Sequence, residues 1–219
     1  MPNFAFISLS KPFLEVVAKY TRGLWAARLR AGQPLSYDYA TMIADPEQLH
    51  TERLLLRKPA LADAQAIFES YTSDAEVTRT LLWNPHTDVG QTEAFLQRSE
   101  NMWASGEAFP YVLQLAEGGE LIGMIEARML GTTVDIGYVL AKKFWGQGYM
   151  TEAAISIVEW ALSLDEIYRV SATCDISNIA SARVMEKAGM QREGRLRCYM
   201  IHPHLSPEPR DVYIYAKVK

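Results

Sequence analysis

The sequence predicts an α/β fold: a mixed, mostly antiparallel central sheet flanked by helices, with an extra helical arm at the N-terminus. Three features carry this reading. Strand-like and helical runs alternate from Arg53 onward, and three successive strand candidates between Tyr111 and Leu140 are joined by turns too short for a crossover. A strand then runs through a glycine turn straight into a helix with a strong apolar stripe.

Residues 1–50 stand apart. Up to Tyr37 they carry Lys11, Lys19, Arg22, Arg28 and Arg30 against Glu15 alone, on a chain of net charge −4. Ser10 is placed to cap a helix with Pro12 in its first turn. Phe13, Val16, Val17, Tyr20 and Leu24 recur at helical spacing until Gly32-Gln33-Pro34 breaks the pattern. The expected element is an amphipathic helix that covers the core or contacts a second copy in a homodimer. A start at Met42 and a targeting arm are the other readings these residues leave open.

Residues 51–219 read as one domain. Arg53-Leu54-Leu55-Leu56-Arg57 is strand-like, and Ala64, Ile67, Phe68 and Tyr71 follow Asp63 at helical spacing. Asp88 with Gln91 forms a capping box opening a helix that buries Phe95, Met102 and Trp103 and ends at Gly106. Strands are expected from Tyr111 to Ala116, Leu121 to Met129 and Val134 to Leu140. Glu117-Gly118-Gly119-Glu120 and Leu130-Gly131-Thr132 supply the turns of an antiparallel meander. From about Gly148 to Leu164 a helix aligns Ala153, Ala154, Ile157, Val158, Ala161 and Leu162 on one stripe. A strand at Arg169 to Cys174, a helix from Ile179 to Ala188 closed by Gly189, and strands around Tyr199 and from Val212 to Val218 complete the order.

Composition narrows the function classes. With 219 residues, 49% hydrophobic and 22% charged, the chain can bury one sizeable core. A net charge of −4 offers no broad cationic surface for a phosphate backbone, so nucleic acid is not an expected ligand, and a basic peptide or small amine fits better. Cys174 and Cys198 lie far apart without metal-ligand spacing, so neither a disulfide framework nor a metal site is expected, and a reducing cytoplasm is the expected location. No apolar run approaches membrane-spanning length, and Lys11, Glu15 and Lys19 interrupt any signal peptide.

The most informative stretch is Tyr138-Val139-Leu140-Ala141-Lys142-Lys143-Phe144-Trp145-Gly146-Gln147-Gly148-Tyr149-Met150-Thr151-Glu152-Ala153. Glycines let the backbone approach a ligand, and the first N–H groups of a helix are unpaired and partially positive. The arrangement suits a diphosphate. It lacks the Gly-Lys-Ser/Thr of a nucleotide P-loop, and a dinucleotide fingerprint would need glycine at Thr151.

Lys143-x-x-Gly146-x-Gly148 followed by Thr151-Glu152-Ala153 resembles the acetyl-coenzyme A loop of the GNAT superfamily of N-acetyltransferases, and within it the ribosomal-protein N-terminal acetyltransferases. The resemblance spans roughly Thr51 to Lys219. It includes Thr51-Glu52-Arg53-Leu54-Leu55-Leu56-Arg57, Leu121-Ile122-Gly123, Asp135-Ile136-Gly137-Tyr138 and the run from Asn178 to Met190.

This resemblance implies a GNAT fold and an acetyl-CoA-dependent N-acetyltransferase. Its acceptor would be a primary amine, either a protein N-terminal α-amino group or a small molecule, served by direct transfer in a ternary complex. The backbone from Phe144 to Tyr149 would hold the pyrophosphate, with Lys143, Met150 and Thr151 completing the loop site. Tyr138, Val139 and Leu140 would pair with the pantetheine arm, and Asn178 and Ser181 would meet the coenzyme. Where many relatives carry an acidic Tyr, this chain has Met185, so Ser181 is the expected proton donor to the leaving thiolate. A backbone N–H of Val139 or Leu140 would stabilise the oxyanion. An alkylammonium acceptor needs a base, and Asp135 and Glu126 are the candidates. Strand alternation sets Asp135, Gly137 and Val139 on one face and Ile136 and Tyr138 on the other. His202 and His204, flanking Pro203 after Tyr199, line an acceptor cleft or face water; Trp83, Phe109 and Tyr111 shape the acceptor pocket or join the core. The rival expectation, motivated by Met185, is an acyl-CoA sensor of the same fold without catalysis.

Overall fold

The computed structural model describes residues 47–219. The helix expected around Phe13 to Leu24 lies outside the described residues. The strands are β1 (Gln48–His50), β2 (Leu54–Arg57), β3 (Ala108–Leu115), β4 (Leu121–Leu130), β5 (Thr133–Leu140), β6 (Arg169–Asp175), β7 (Gln191–Met200) and β8 (Arg210–Val218). They form one eight-stranded sheet in the order β1-β2-β3-β4-β5-β6-β8-β7. The helices are α1 (Ala64–Ile67, extended by a π-turn over Phe68–Thr72), α2 (Ala75–Thr78), α3 (Val89–Ser105), α4 (Tyr149–Ser163) and α5 (Ile179–Lys187). Every pairing is antiparallel except β5 with β6, and α4 is the crossover that parallel pairing requires.

The expected helices and strands appear near their expected bounds, with informative differences. β1 falls before the expected domain start yet pairs with β2 from Gln48↔Arg57 to His50↔Leu55. In α3, Asp88 Oδ1 accepts from Gln91 N at 3.2 Å, but the Gln91 side chain accepts from Thr87 N instead of completing the box at Asp88. The buried stripe of α3 is Thr92, Leu96, Ser99 and Trp103, while Phe95 and Met102 sit at its margins. Trp103 reaches the core because its indole N–H donates to the Pro110 carbonyl at 2.9 Å.

Phe109 and Tyr111 do not shape a pocket. Exposed by 2% and 0%, they meet Trp103 of α3 and Trp160 of α4 edge-on and form the aromatic centre of the core. Cross-strand pairing of Tyr111 with Ile125, and of Ile125 with Tyr138, carries this face across the sheet beneath α4.

Two features of β5 prepare the site. A Cβ at Gly123 would lie 2.4 Å from the Val139 carbonyl oxygen, so glycine there lets β5 approach β4 closely. On its other edge β5 pairs with β6 only at Thr133↔Arg169, Val134↔Val170 and Asp135↔Ser171. Beyond Ser171, β6 stays paired with β8 as far as Asp175↔Val212, while β5 stays paired with β4 as far as Leu140↔Gly123. The two parallel strands therefore diverge and leave a gap inside the sheet whose edges carry unpaired backbone groups. Continuing the register sets Tyr138 opposite Cys174 on the face under α4 and α5, and Val139 opposite Asp175 on the other face.

Candidate active site

After β5, Ala141 N donates to Ile122 O at 2.8 Å and a single 3₁₀ turn follows over Lys142–Phe144. Phe144 N and Trp145 N donate back to Ala141 O and Lys142 O at 3.0 and 3.1 Å, so these two N–H groups are already used within the turn. Gly146 and Gly148 take φ of +75° and +85°. A Cβ on Gly146 would meet nothing within 4 Å, so the left-handed backbone and not crowding calls for glycine. The first helical bond of α4 is Glu152 N to Gly148 O at 3.0 Å, and no side chain caps the helix. The N–H groups of Gly146 through Thr151 consequently donate to nothing among the described residues. This is a row of free donors at the positive end of a 15-residue helix, suited to an extended anion such as a diphosphate.

A clamp distant in sequence holds this turn. Glu152 accepts from Thr51 Oγ1 at 2.6 Å, Arg53 N at 2.8 Å and Arg53 Nε at 2.7 Å. Arg53 also donates to the Gln147 carbonyl at 3.1 Å and lies 4.3 Å from the centre of the Tyr149 ring. Burial opposes ionisation of Glu152, yet the Thr51 hydroxyl and the Arg53 donors outweigh it and hold the carboxyl below its ordinary value. Lys143 pairs with the exposed Glu120, and its carbonyl accepts from the Gln147 side chain at 2.8 Å.

On the helical face of the gap, the Tyr138 hydroxyl lies 2.8 Å from Ser181 Oγ and donates to the Ser181 carbonyl at 3.1 Å. The two hydroxyls thus share one proton chain. Burial is the main influence on Cys174, pushing its thiol up to about 11 against the opposing hydrogen bond with Ser181. Burial likewise raises Tyr138. Met185 is 1% exposed and belongs to the core. Asn178 caps α5, its Oδ1 accepting from Ser181 N at 3.1 Å, and its amide donates to Thr80 at 3.0 Å.

On the opposite face, Glu126 and Asp135 come together around Arg128. Its guanidinium donates to Glu126 at 2.8 Å and to Asp135 at 3.1 and 2.5 Å, and Ser171 Oγ adds a 3.4 Å contact to Asp135. Burial works against the charge of Arg128, but Asp135 and Glu126 outweigh it and raise its pKa. Both carboxylates therefore share one cation, and the trio keeps one net negative charge. Gly137 makes room for that cation: a Cβ there would lie 3.1 Å from the guanidinium nitrogens.

A second polar cluster lies where β6 ends. The Asp175 side chain is fully buried and accepts from Arg210 Nε at 2.6 Å, Arg210 Nη2 at 3.1 Å and Ser177 N at 2.8 Å. His202, which could have faced water, is instead 3% exposed, with Nε2 4.0 Å from Asp175 Oδ2. Among the described residues, neither ring nitrogen has a hydrogen-bond partner. His204 is exposed. A proline-containing loop has no periodicity from which burial can be read, so no sequence signal separated these two histidines.

A splayed mixed sheet, with a free-donor turn at the end of one diverging strand, defines an acyltransferase of the GNAT fold. The chain belongs to the GNAT acetyltransferase family, whose acetyltransferase (GNAT) domain matches residues 53–191. It is 31% identical over 176 residues to the uncharacterised N-acetyltransferase p20 of Bacillus licheniformis, covering 79% of this chain and 97% of that protein. The crystal structure of a GNAT-family acetyltransferase from Bacillus anthracis is 31% identical, with a TM-score of 0.68 over 78% of this chain and 98% of that one. The ribosomal L7/L12 α-N-protein acetyltransferase RimL, solved in complex with coenzyme A, shares the fold at 22% identity and a TM-score of 0.69, over 77% of this chain and 95% of its own.

Proposed function

We propose that this enzyme transfers an acetyl group from acetyl-CoA directly to a primary amine within a ternary complex. The observation that carries this is the continuity of two features: the free N–H row from Gly146 to Thr151 opens onto the unpaired edge of β5, and that edge leads to the Tyr138–Ser181 hydroxyl pair. Phe144 and Trp145 shape the turn, while the donors to the pyrophosphate come from Gly146, Gln147, Gly148, Tyr149, Met150 and Thr151. Lys143 adds positive charge at the rim. Tyr138, Val139 and Leu140 offer a strand edge to the pantetheine amides, and Asn178 fixes the helix start that positions Ser181. A backbone N–H of this edge meets the charge that develops on the thioester oxygen.

Ser181 then gives its proton to the departing thiolate. The Tyr138 hydroxyl turns its proton from the Ser181 carbonyl to Oγ and stabilises the resulting alkoxide, and Ser181 is restored by the proton that nitrogen loses on becoming an amide. RimL acts on a protein α-amino group, which makes such a group the first acceptor class to try here, with small amines second.

Purified protein is to be incubated with acetyl-CoA and a panel of serine- and alanine-initiated peptides, spermidine and aminoglycosides, with free thiol as the readout. Ser181→Ala is expected to lower kcat about 100-fold while leaving the KM for acetyl-CoA within about twofold. Tight coenzyme binding without thiol release on any amine, unchanged by Ser181→Ala, would instead mark a non-catalytic acyl-CoA-binding protein.

A further inference from the structure

We propose that Arg53 is a positioning residue of the coenzyme turn, holding the Gln147–Gly148 peptide in the orientation that aims the Gly148 N–H at the diphosphate. The proposal rests on the acetyl-CoA reading above and deepens its anion site. Arg53 Nη1 donates to the Gln147 carbonyl at 3.1 Å, and no peptide bond among the described residues is cis. In a planar trans peptide the carbonyl and the following N–H point in opposite directions. Drawing the Gln147 oxygen toward Arg53 therefore turns the Gly148 N–H away from it. That N–H donates to nothing among the described residues.

The turn alone does not select this orientation. Gly148 has φ of +85° and ψ of −2°, the values of the third residue of a type II turn. A type I turn, with φ of about −90° there, carries the same peptide turned over. Glycine occupies positive and negative φ about equally readily, so Gly148 permits the outward N–H without enforcing it. In the flipped state a carbonyl oxygen would face the anion where a donor is needed. Selection has to come from outside the turn, and Arg53 is the group that reaches the peptide from outside.

Arg53 is itself firmly mounted. It lies in the turn joining β1 to β2, where its N–H donates to Glu152 Oε1 at 2.8 Å and its carbonyl accepts from Ala116 N at 2.9 Å. Its Nε and Nη2 both meet Glu152 Oε2 at 2.7 Å, and the Tyr149 ring lies against its guanidinium. Thr51 Oγ1 closes the frame, donating to the same carboxylate at 2.6 Å and accepting from Leu54 N at 3.0 Å. On the other side of the peptide, the Gln147 amide is tied to the Lys143 carbonyl at 2.8 Å. Because the Arg53 charge is already paired with Glu152, its contribution to an anion is the direction of a peptide dipole more than free positive charge.

The test uses the full-length protein with two donors, acetyl-CoA and S-acetylpantetheine, which lacks the diphosphate. Arg53→Met is expected to raise the dissociation constant for coenzyme A about 20-fold by calorimetric titration. The ratio of kcat/KM for acetyl-CoA to that for S-acetylpantetheine should fall by a similar factor. Both donors are read on one sample, so an unfolded fraction lowers both alike and leaves their ratio unchanged. Arg53→Lys keeps the charge without the planar fork and should stay within about threefold of Arg53→Met. Equal losses on the two donors would reduce Arg53 to a support of the fold, and wild-type affinity in Arg53→Lys would assign its effect to charge; either overturns the proposal. Unchanged coenzyme A affinity in Arg53→Met overturns it as well. A wild-type protein that uses both donors equally well takes the diphosphate from this turn, and the parent reading of the anion site falls with the proposal. Absence of thiol release from acetyl-CoA on every amine overturns acetyl transfer alone, and the coenzyme A titration still decides the role of Arg53.

Discussion

Gly148→Glu is expected to raise the dissociation constant for acetyl-CoA at least about 100-fold, measured by calorimetric titration. That is about 2.8 kcal/mol of lost binding. Two effects combine. A side chain at φ of +85° is strained by about 1–2 kcal/mol, which pulls the turn away from the geometry that aims its N–H groups outward. A carboxylate at the helix N-terminus also occupies the anion position with its own charge. Gly148→Ala separates the two, since it brings strain without charge; a loss of about fivefold to tenfold is expected. Undiminished affinity in Gly148→Glu would remove this turn from the ligand site altogether.

The other large effect falls on stability. Asp175→Ala should destabilise the fold by about 3 kcal/mol, lowering Tm by roughly 6–12 °C for a chain of this size. It strips the partner from Arg210, Ser177 and His202 together, and the side chain removed is wholly buried. The same carboxylate ties stability to pH. Burial alone would raise its pKa, but Arg210 and the two Ser177 donors outweigh burial and leave it well below the usual carboxylate range. Because the folded value lies below the unfolded one, this stabilisation is present in full above the unfolded pKa of about 3.9 and is lost as pH falls toward the folded value. Acid denaturation followed by circular dichroism should therefore show a smaller stability loss below about pH 4 in Asp175→Ala than in wild type. An unchanged Tm would show that Arg210 and His202 find other partners.

What the sequence made legible was local. The meander between Tyr111 and Leu140 carried its own alternation and turns, α4 carried a stripe, and the glycine turn announced free N–H groups through residue type alone. Interactions between distant segments were not legible. Arg53 reaches Glu152 from ninety-nine residues away, and nothing near either residue marks the pairing. Arg128 was hidden for a related reason: alternation along one strand cannot say which residues of its neighbour share a face, and only the register of β4 against β5 brings Glu126, Arg128 and Asp135 into one ion-pair network. β1 has three residues and no period to read. Whether Phe109 and Tyr111 line the acceptor pocket or join the core could not be read from the sequence, because aromatic residues on a central strand look the same whether a ligand or α4 covers them; the structure puts both in the core.

The gap between β5 and β6 also bears on how the molecule holds together. Among the described residues, three register pairs join β5 to β6, and with them the first five strands of the sheet to the last three. A coenzyme lying in that gap would work as a ninth strand, filling the open end of the seam between the two halves of the sheet. The seam, continuous at Thr133–Asp135 throughout, would then be bridged along its whole length only while the substrate is held. Product departure would reopen the seam, and the rigidity of the C-terminal half, with Asp175, His202 and Ser181 mounted on it, would rise and fall with each turnover.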